Sequence, residues 1–149
     1  MSDIEKIKAL REATGLSLNE IKKALDESGN NEAKALEALK TLGASMAAKR
    51  ASREVKEGIV SSYVHSTKKT GAMVELLCET DFVARNQEFQ ELGRDLAMHI
   101  TAMKPADAEE CLAQPFIKDS ERTIKDVISG AIAKLGENIQ LGKFSVFEL

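Results

Sequence analysis

Gly71-Ala72-Met73-Val74-Glu75-Leu76-Leu77-Cys78-Glu79-Thr80-Asp81-Phe82-Val83-Ala84-Arg85 decides the fold, because an alternating strand ends inside it and a helix begins. Ala72, Val74, Leu76 and Cys78 occupy one face of an extended segment, and Met73, Glu75, Leu77 and Glu79 occupy the other. A polar residue at the junction, Thr80 or Asp81, is the usual helix N-cap, whose side-chain oxygen accepts a backbone N–H left unpaired by the first turn. Capping explains the acid but not Phe82. A large aromatic at a helix start either packs into the core or stands at the rim as an anchor for a partner, and local chemistry leaves both open.

Working outward, Ile59, Tyr63 and His65 alternate with Val60 and Val64, and Lys68-Lys69-Thr70-Gly71 reads as a turn, so an antiparallel hairpin is expected. Near the carboxy terminus, Ile139, Leu141, Phe147 and Leu149 share one parity and Phe144 and Val146 the other, consistent with a third strand. Two helical patterns lie between, one carrying Phe89, Leu92, Leu96, Ile100 and Met103. The other carries Ile124, Val127, Ile128, Ala131, Ile132 and Leu135 before a Gly136 stop. Three antiparallel strands with helices make an α+β fold. Apolar residues fall on both sheet faces while the helices suffice for one, so a homodimer joined sheet to sheet is expected.

Upstream, Ile4, Ile7 and Leu10, then Leu18, Ile21 and Leu25, then Leu36, Leu39 and Leu42 mark three short amphipathic helices. Thr14-Gly15 closes the first, Ser17 with Glu20 forms a capping box for the second, and Ser28-Gly29-Asn30-Asn31 separates the second from the third. A bundle this small buries little surface and suits a docking module. Gly43 to Arg53 reads as a helical connector. The expected domains are residues 1–54, module and connector, and residues 55–149, an α+β core.

The chain has 149 residues, 43% of them hydrophobic and 30% charged, enough for one domain with a small module. Twenty-one Lys and Arg face 24 Asp and Glu, a net charge of −3, which argues against a broad surface for nucleic acid or anionic lipid. Lys49, Arg50 and Arg53 are ordinary surface charges on this reading. No apolar run approaches the roughly 20 residues that span a bilayer, and Met1-Ser2-Asp3-Ile4-Glu5 is not a signal sequence, so a cytoplasmic protein is expected. Cys78 and Cys111 are too few for a disulfide scaffold or, with His65 and His99 the only histidines, for a structural zinc site. Neither metal nor cofactor is expected. Cys78 and His65 could pair across strands as nucleophile and base, but no oxyanion motif or orienting third residue accompanies them, and the chain is not read as an enzyme.

Four separated motifs then carry a resemblance. Leu10-Arg11-Glu12-Ala13-Thr14-Gly15 with Ile21-Lys22-Lys23-Ala24-Leu25 resembles the first signature of bacterial elongation factor Ts, and Glu75 to Arg85 resembles its Thr-Asp-Phe-Val segment. Gln114-Pro115-Phe116-Ile117-Lys118-Asp119 and Ala133-Lys134-Leu135-Gly136-Glu137-Asn138-Ile139 match further family stretches in order.

The resemblance implies a guanine nucleotide exchange factor that binds elongation factor Tu, GDP-bound and nucleotide-free, and promotes GDP release by disturbing its magnesium and phosphate-binding region. It implies partner contacts at Asp81 and Phe82, with Thr80 and Val83 beside them, at His65, at Leu135 and Gly136, and, on a ubiquitin-associated-like amino-terminal module, at Leu18, Asn19 and Lys22. The family's long helical excursion is reduced here to the stretch between Pro105 and Gln114, and a protein without the duplicated second half of longer members is expected. Leu16-Ser17-Leu18-Asn19 departs from the family's glycine- and methionine-rich pattern. The alternative is a ubiquitin-associated-type binding module on an unrelated scaffold without exchange activity.

Overall fold

Three helices open the computed structural model, which describes residues 3–149, and local capping chemistry starts the second and third; Met1 and Ser2, read above with the amino terminus, lie outside the described residues. They are α1 (Asp3–Thr14), α2 (Leu18–Glu27) and α3 (Glu32–Arg50). Ser17 Oγ accepts the Glu20 N–H at 3.3 Å while Glu20 Oε2 accepts the Ser17 N–H at 3.1 Å, the reciprocal pairing expected of a capping box. Asn31 Oδ1 accepts the Lys34 N–H and starts α3. The expected connector after Gly43 is not separate: α3 runs through Gly43 to Arg50, since the alanines that follow favour helix enough to offset one glycine.

Two compact units result. The first comprises the described residues up to Ser52 together with Asp126–Gly136, the latter belonging to α7 (Ile124–Leu135) and its stop. Leu10, Leu16, Ile21, Leu25 and Leu39 form its core, with Met46 and Ala133 packed against them. Ile4, Leu18 and Leu42, assigned above to the apolar stripes, are exposed. They occupy positions that a bundle of this size has no neighbour to cover. Gly15 takes φ +69° and sits so close to the Gly130 carbonyl that a Cβ there would collide with it, so no side chain fits where α1 ends against α7.

The second unit comprises Arg53–Lys125 and Glu137–Leu149. Strands β1 (Glu57–Val64), β2 (Thr70–Cys78) and β5 (Gln140–Glu148) form one antiparallel sheet in the order β1-β2-β5. The one-turn helix α4 (Asp81–Ala84), then α5 (Gln87–Met103) and α6 (Ala108–Ala113), follow β2. A small second sheet, β3 (Pro115–Phe116) with β4 (Asp119–Thr123), was not anticipated, because strands this short leave no periodic signal. The molecule is α+β, as the change of period predicted.

Ala72, Val74, Leu76 and Cys78 are buried on one sheet face, and α5 lies against it. Gly93 of α5 permits the approach, since a Cβ there would stand 2.8 Å from Ile59 Cδ1. The parity expected for the terminal strand fails at one point: Val74 pairs with Phe144 but Leu76 with Leu141, so Gly142 and Lys143 together oppose Glu75. This bulge returns Leu141 to the face of Phe144 and Val146 and leaves Phe147 on the other. Val60, Val64, Met73 and Phe147 on that second face are all exposed.

Candidate functional site

The junction after β2 is built by one side chain acting as a cap and one carboxylate from far along the chain. Thr80, not Asp81, is the N-cap: its Oγ1 accepts the Val83 N–H at 3.4 Å. The same hydroxyl donates to Glu137 Oε2 at 2.6 Å, and Glu137 Oε1 accepts the N–H groups of Glu79 and Thr80 at 3.1 and 3.0 Å. Glu79 answers by accepting the Asn138 N–H at 2.7 Å, with the Arg53 guanidinium 3.6 Å away. Asn138 is buried and donates through Nδ2 to the Arg53 carbonyl.

Phe82 projects from this frame into solvent, 83% exposed, and Asp81 beside it is exposed as well. The core reading of Phe82 is therefore excluded. Val83 is half-buried and Ala84 buried, so the turn rests on the fold through its far side only. Asn86 Oδ1 restarts the helix by accepting the N–H groups of Glu88 and Phe89. The result is a short turn, capped by Thr80 and followed by the Asn86 cap of α5, that presents one aromatic ring and one carboxylate outward.

The remaining residues read as partner contacts are exposed or half-buried, and His65, on the same unit as this tip, is not gathered with it. His65 lies not on β1 but in the turn after it, where its N–H donates to the Thr70 carbonyl and its carbonyl accepts the Lys68 N–H. The hairpin register pairs Glu57 with Cys78 and Val64 with Gly71, so His65 sits at the opposite end of the strands from the Asp81–Phe82 tip. Seven residues of extended chain separate those ends, roughly 23 Å at a rise of about 3.3 Å per residue. Leu18, Asn19 and Lys22 open α2 on the first unit and are exposed. Leu135 is half-buried at the end of α7, and Gly136, at φ +79°, donates its N–H to the Ile132 carbonyl as a left-handed helix stop.

The same register separates Cys78 from His65 and rules out their pairing as nucleophile and base. Cys78 is fully buried, and burial, reinforced by the nearby Glu137 charge, pushes its thiol up to about 11. Cys111 is likewise buried and raised to about 11, chiefly by burial. Neither supplies a thiolate near neutrality. Arg50 donates to the Ile132 carbonyl and Arg53 faces Glu79, so two of the three connector cations are committed to the fold.

Sequence reasoning missed Glu137, the residue that ties the tip to the rest of the fold. Only its place in Gly136-Glu137-Asn138-Ile139 pointed to it, because the groups it binds lie 57 and 58 positions away.

Residues 79–149 match the family model described as elongation factor TS. A protein named elongation factor Ts from Thermosipho melanesiensis is 41% identical, with 95% of each chain covered. Namesakes from Leptospira biflexa (40%, covering 97% of this chain and 96% of theirs) and Oleidesulfovibrio alaskensis (38%, 96% and 95%) are similar in the same way. The Thermosipho alignment runs over 186 positions against 149 residues here, so that relative carries residues without a counterpart in this chain.

Proposed function

The chain belongs to the elongation factor Ts family, and from that premise we propose that it is a guanine nucleotide exchange factor that promotes GDP release from elongation factor Tu. The observation that carries this reading is Phe82, an aromatic ring held 83% exposed at a capped helix start beside a carboxylate. A soluble fold leaves such a ring in water at a cost, and buried aromatics are the side chains that most often dominate protein interfaces.

In this proposal Asp81 and Phe82 enter the GTPase near its magnesium and phosphate-binding region. Bound Mg²⁺ bridges nucleotide oxygens to the protein, so displacing its ligands loosens GDP. Coupling is reciprocal: GDP weakens the factor's binding by the factor by which it is itself weakened. The factor binds the GDP-bound and the nucleotide-free GTPase and makes or breaks no covalent bond. Leu18, Asn19 and Lys22 on the amino-terminal module, read as residues 1–54, supply docking contacts, and Leu135 and Gly136 add others.

The protein acts as a cytoplasmic homodimer on this reading. His65 and the Asp81–Phe82 tip stand at opposite ends of the hairpin, so two contacts on one GTPase are more readily shared between two copies than made by one. Val60, Val64, Met73 and Phe147 offer an apolar sheet face for the pairing.

Release of a fluorescent GDP analogue from elongation factor Tu tests the function. Acceleration by catalytic amounts of the protein is expected, and an unchanged release rate would refute exchange activity. Deleting residues 1–50 separates the alternative: a ubiquitin-associated-type module on an inert scaffold loses all function, whereas an exchange factor with its Asp81–Phe82 tip keeps weak activity.

A further inference from the structure

We propose that Glu137 is a positioning residue for the Asp81–Phe82 tip, its carboxylate fixing the direction in which Phe82 leaves the fold. The inference rests on the exchange reading above for its functional consequence, and on geometry alone for the positioning itself.

A helix of four residues cannot hold its own direction, because one turn fixes several dihedral angles for very few hydrogen bonds. Something outside α4 has to set it. At its amino end, three donors converge on one carboxylate: the backbone N–H groups of Glu79 and Thr80 on Oε1, and the Thr80 hydroxyl on Oε2.

The Thr80 hydroxyl also works in series. It donates to Glu137 and accepts from Val83, so the carboxylate is linked through one oxygen to the first turn that carries Phe82. Such chained bonds polarise one another. A threonine serving only as an N-cap needs the Val83 N–H and nothing more. Donation of its proton to a residue 57 positions away adds a long-range anchor to a local cap.

Glu137 is itself held in place. The Asn138 N–H donates to the Glu79 carboxylate while the Glu79 and Thr80 N–H groups donate to that of Glu137, so the two segments exchange backbone-to-side-chain bonds in both directions, and the buried Asn138 amide adds a bond to the Arg53 carbonyl. Glu79 and Glu137 each cap the other's stretch of chain. Holding an exposed anchor in its bound orientation removes an ordering cost that binding would otherwise meet.

The test uses the full chain with Glu137→Ala, Glu137→Asp and Glu137→Gln, each also combined with Phe82→Ala. Glutamine keeps the Oε1 acceptor and can donate its amide to the Thr80 hydroxyl; aspartate is one methylene too short to serve both groups. In the free protein, ¹⁵N order parameters at Thr80, Asp81, Phe82 and Val83 should fall for Ala and Asp and stay near parental for Gln. Unchanged order in both Ala and Asp would overturn the proposal without reference to any partner.

In GDP release, Ala and Asp should lose about ten- to a hundredfold in kcat/KM, the scale of a small misplacement of a working group, while Gln stays within about threefold. Combined with Phe82→Ala, Glu137→Ala should add less than about threefold, because it acts through Phe82. Equal losses in both backgrounds, or a Gln variant as impaired as Ala, would overturn it. If order falls as expected but Phe82→Ala exchanges at the parental rate, the exchange reading of the tip fails while the positioning role stands. Should Glu137→Ala not fold, the Asp and Gln pair carries both measurements.

Discussion

Arg85 stands one helical turn beyond Asp81, and its Nη2 lies 2.6 Å from the Asp81 carboxylate. Both side chains are largely in water, where such a pair contributes only about 0.3–0.5 kcal/mol. Thr80 supplies the helix cap, so Asp81 is dispensable to its own helix. Asp81→Ala is therefore expected to leave the thermal midpoint almost unchanged while lowering GDP release about tenfold or more. Parallel calorimetry and exchange assays check this, and a midpoint that falls in step with activity would return Asp81 to a structural role.

Phe82→Ala removes a ring that its own fold does not bury, so stability should not change. Affinity for nucleotide-free elongation factor Tu should fall by about 2 kcal/mol or more, roughly thirtyfold, as for other interface aromatics. Titration calorimetry measures the loss. A parental affinity would remove Phe82 from the contact surface.

Met73 pairs with Ser62 on one side and Ser145 on the other, in the middle of the exposed sheet face. A buried, unpaired charge there is strongly unfavourable, so Met73→Glu should convert a dimer to a folded monomer. Sedimentation equilibrium at micromolar concentration under reducing conditions reads the mass. A parental chain that is already monomeric and fully active would end both the sheet-to-sheet dimer and the shared contacts.

His99 is buried and neutral: its Nδ1 accepts the Ile117 N–H at 3.3 Å, and Nε2 lies 3.0 Å from Gln114 Oε1, to which it donates. Burial lowers its pKa below the ordinary 6.5. The unfolded chain thus takes up this proton first, and acid favours unfolding. The stabilisation is fully present above about 6.5 and is lost as pH falls through the lower folded value. Urea midpoints taken from pH 8 downward should decline below that point, and His99→Gln should flatten this part of the profile. A decline of the same steepness in the variant would assign it to other groups.

What the sequence determined by itself was set by near neighbours. The period of two from Ala72 to Cys78, the Ser17–Glu20 capping box and the Gly136 stop each depend on residues within a few positions, and each stands in the structure.

Tertiary structure decided what depends on distant partners. Whether Thr80 or Asp81 caps α4 was open locally; the Glu137 carboxylate, 57 positions on, engages the Thr80 hydroxyl and settles it. Whether Phe82 is core or rim follows from which side of the turn Ala84 and Val83 rest on, and the face of Leu141 follows from a bulge opposite Glu75. His65 and Cys78, plausible neighbours on adjacent strands, are parted by a register that a linear pattern does not contain. Periodicity records which residues avoid water, but the direction in which a side chain leaves the fold is set by hydrogen bonds closed only when remote segments meet.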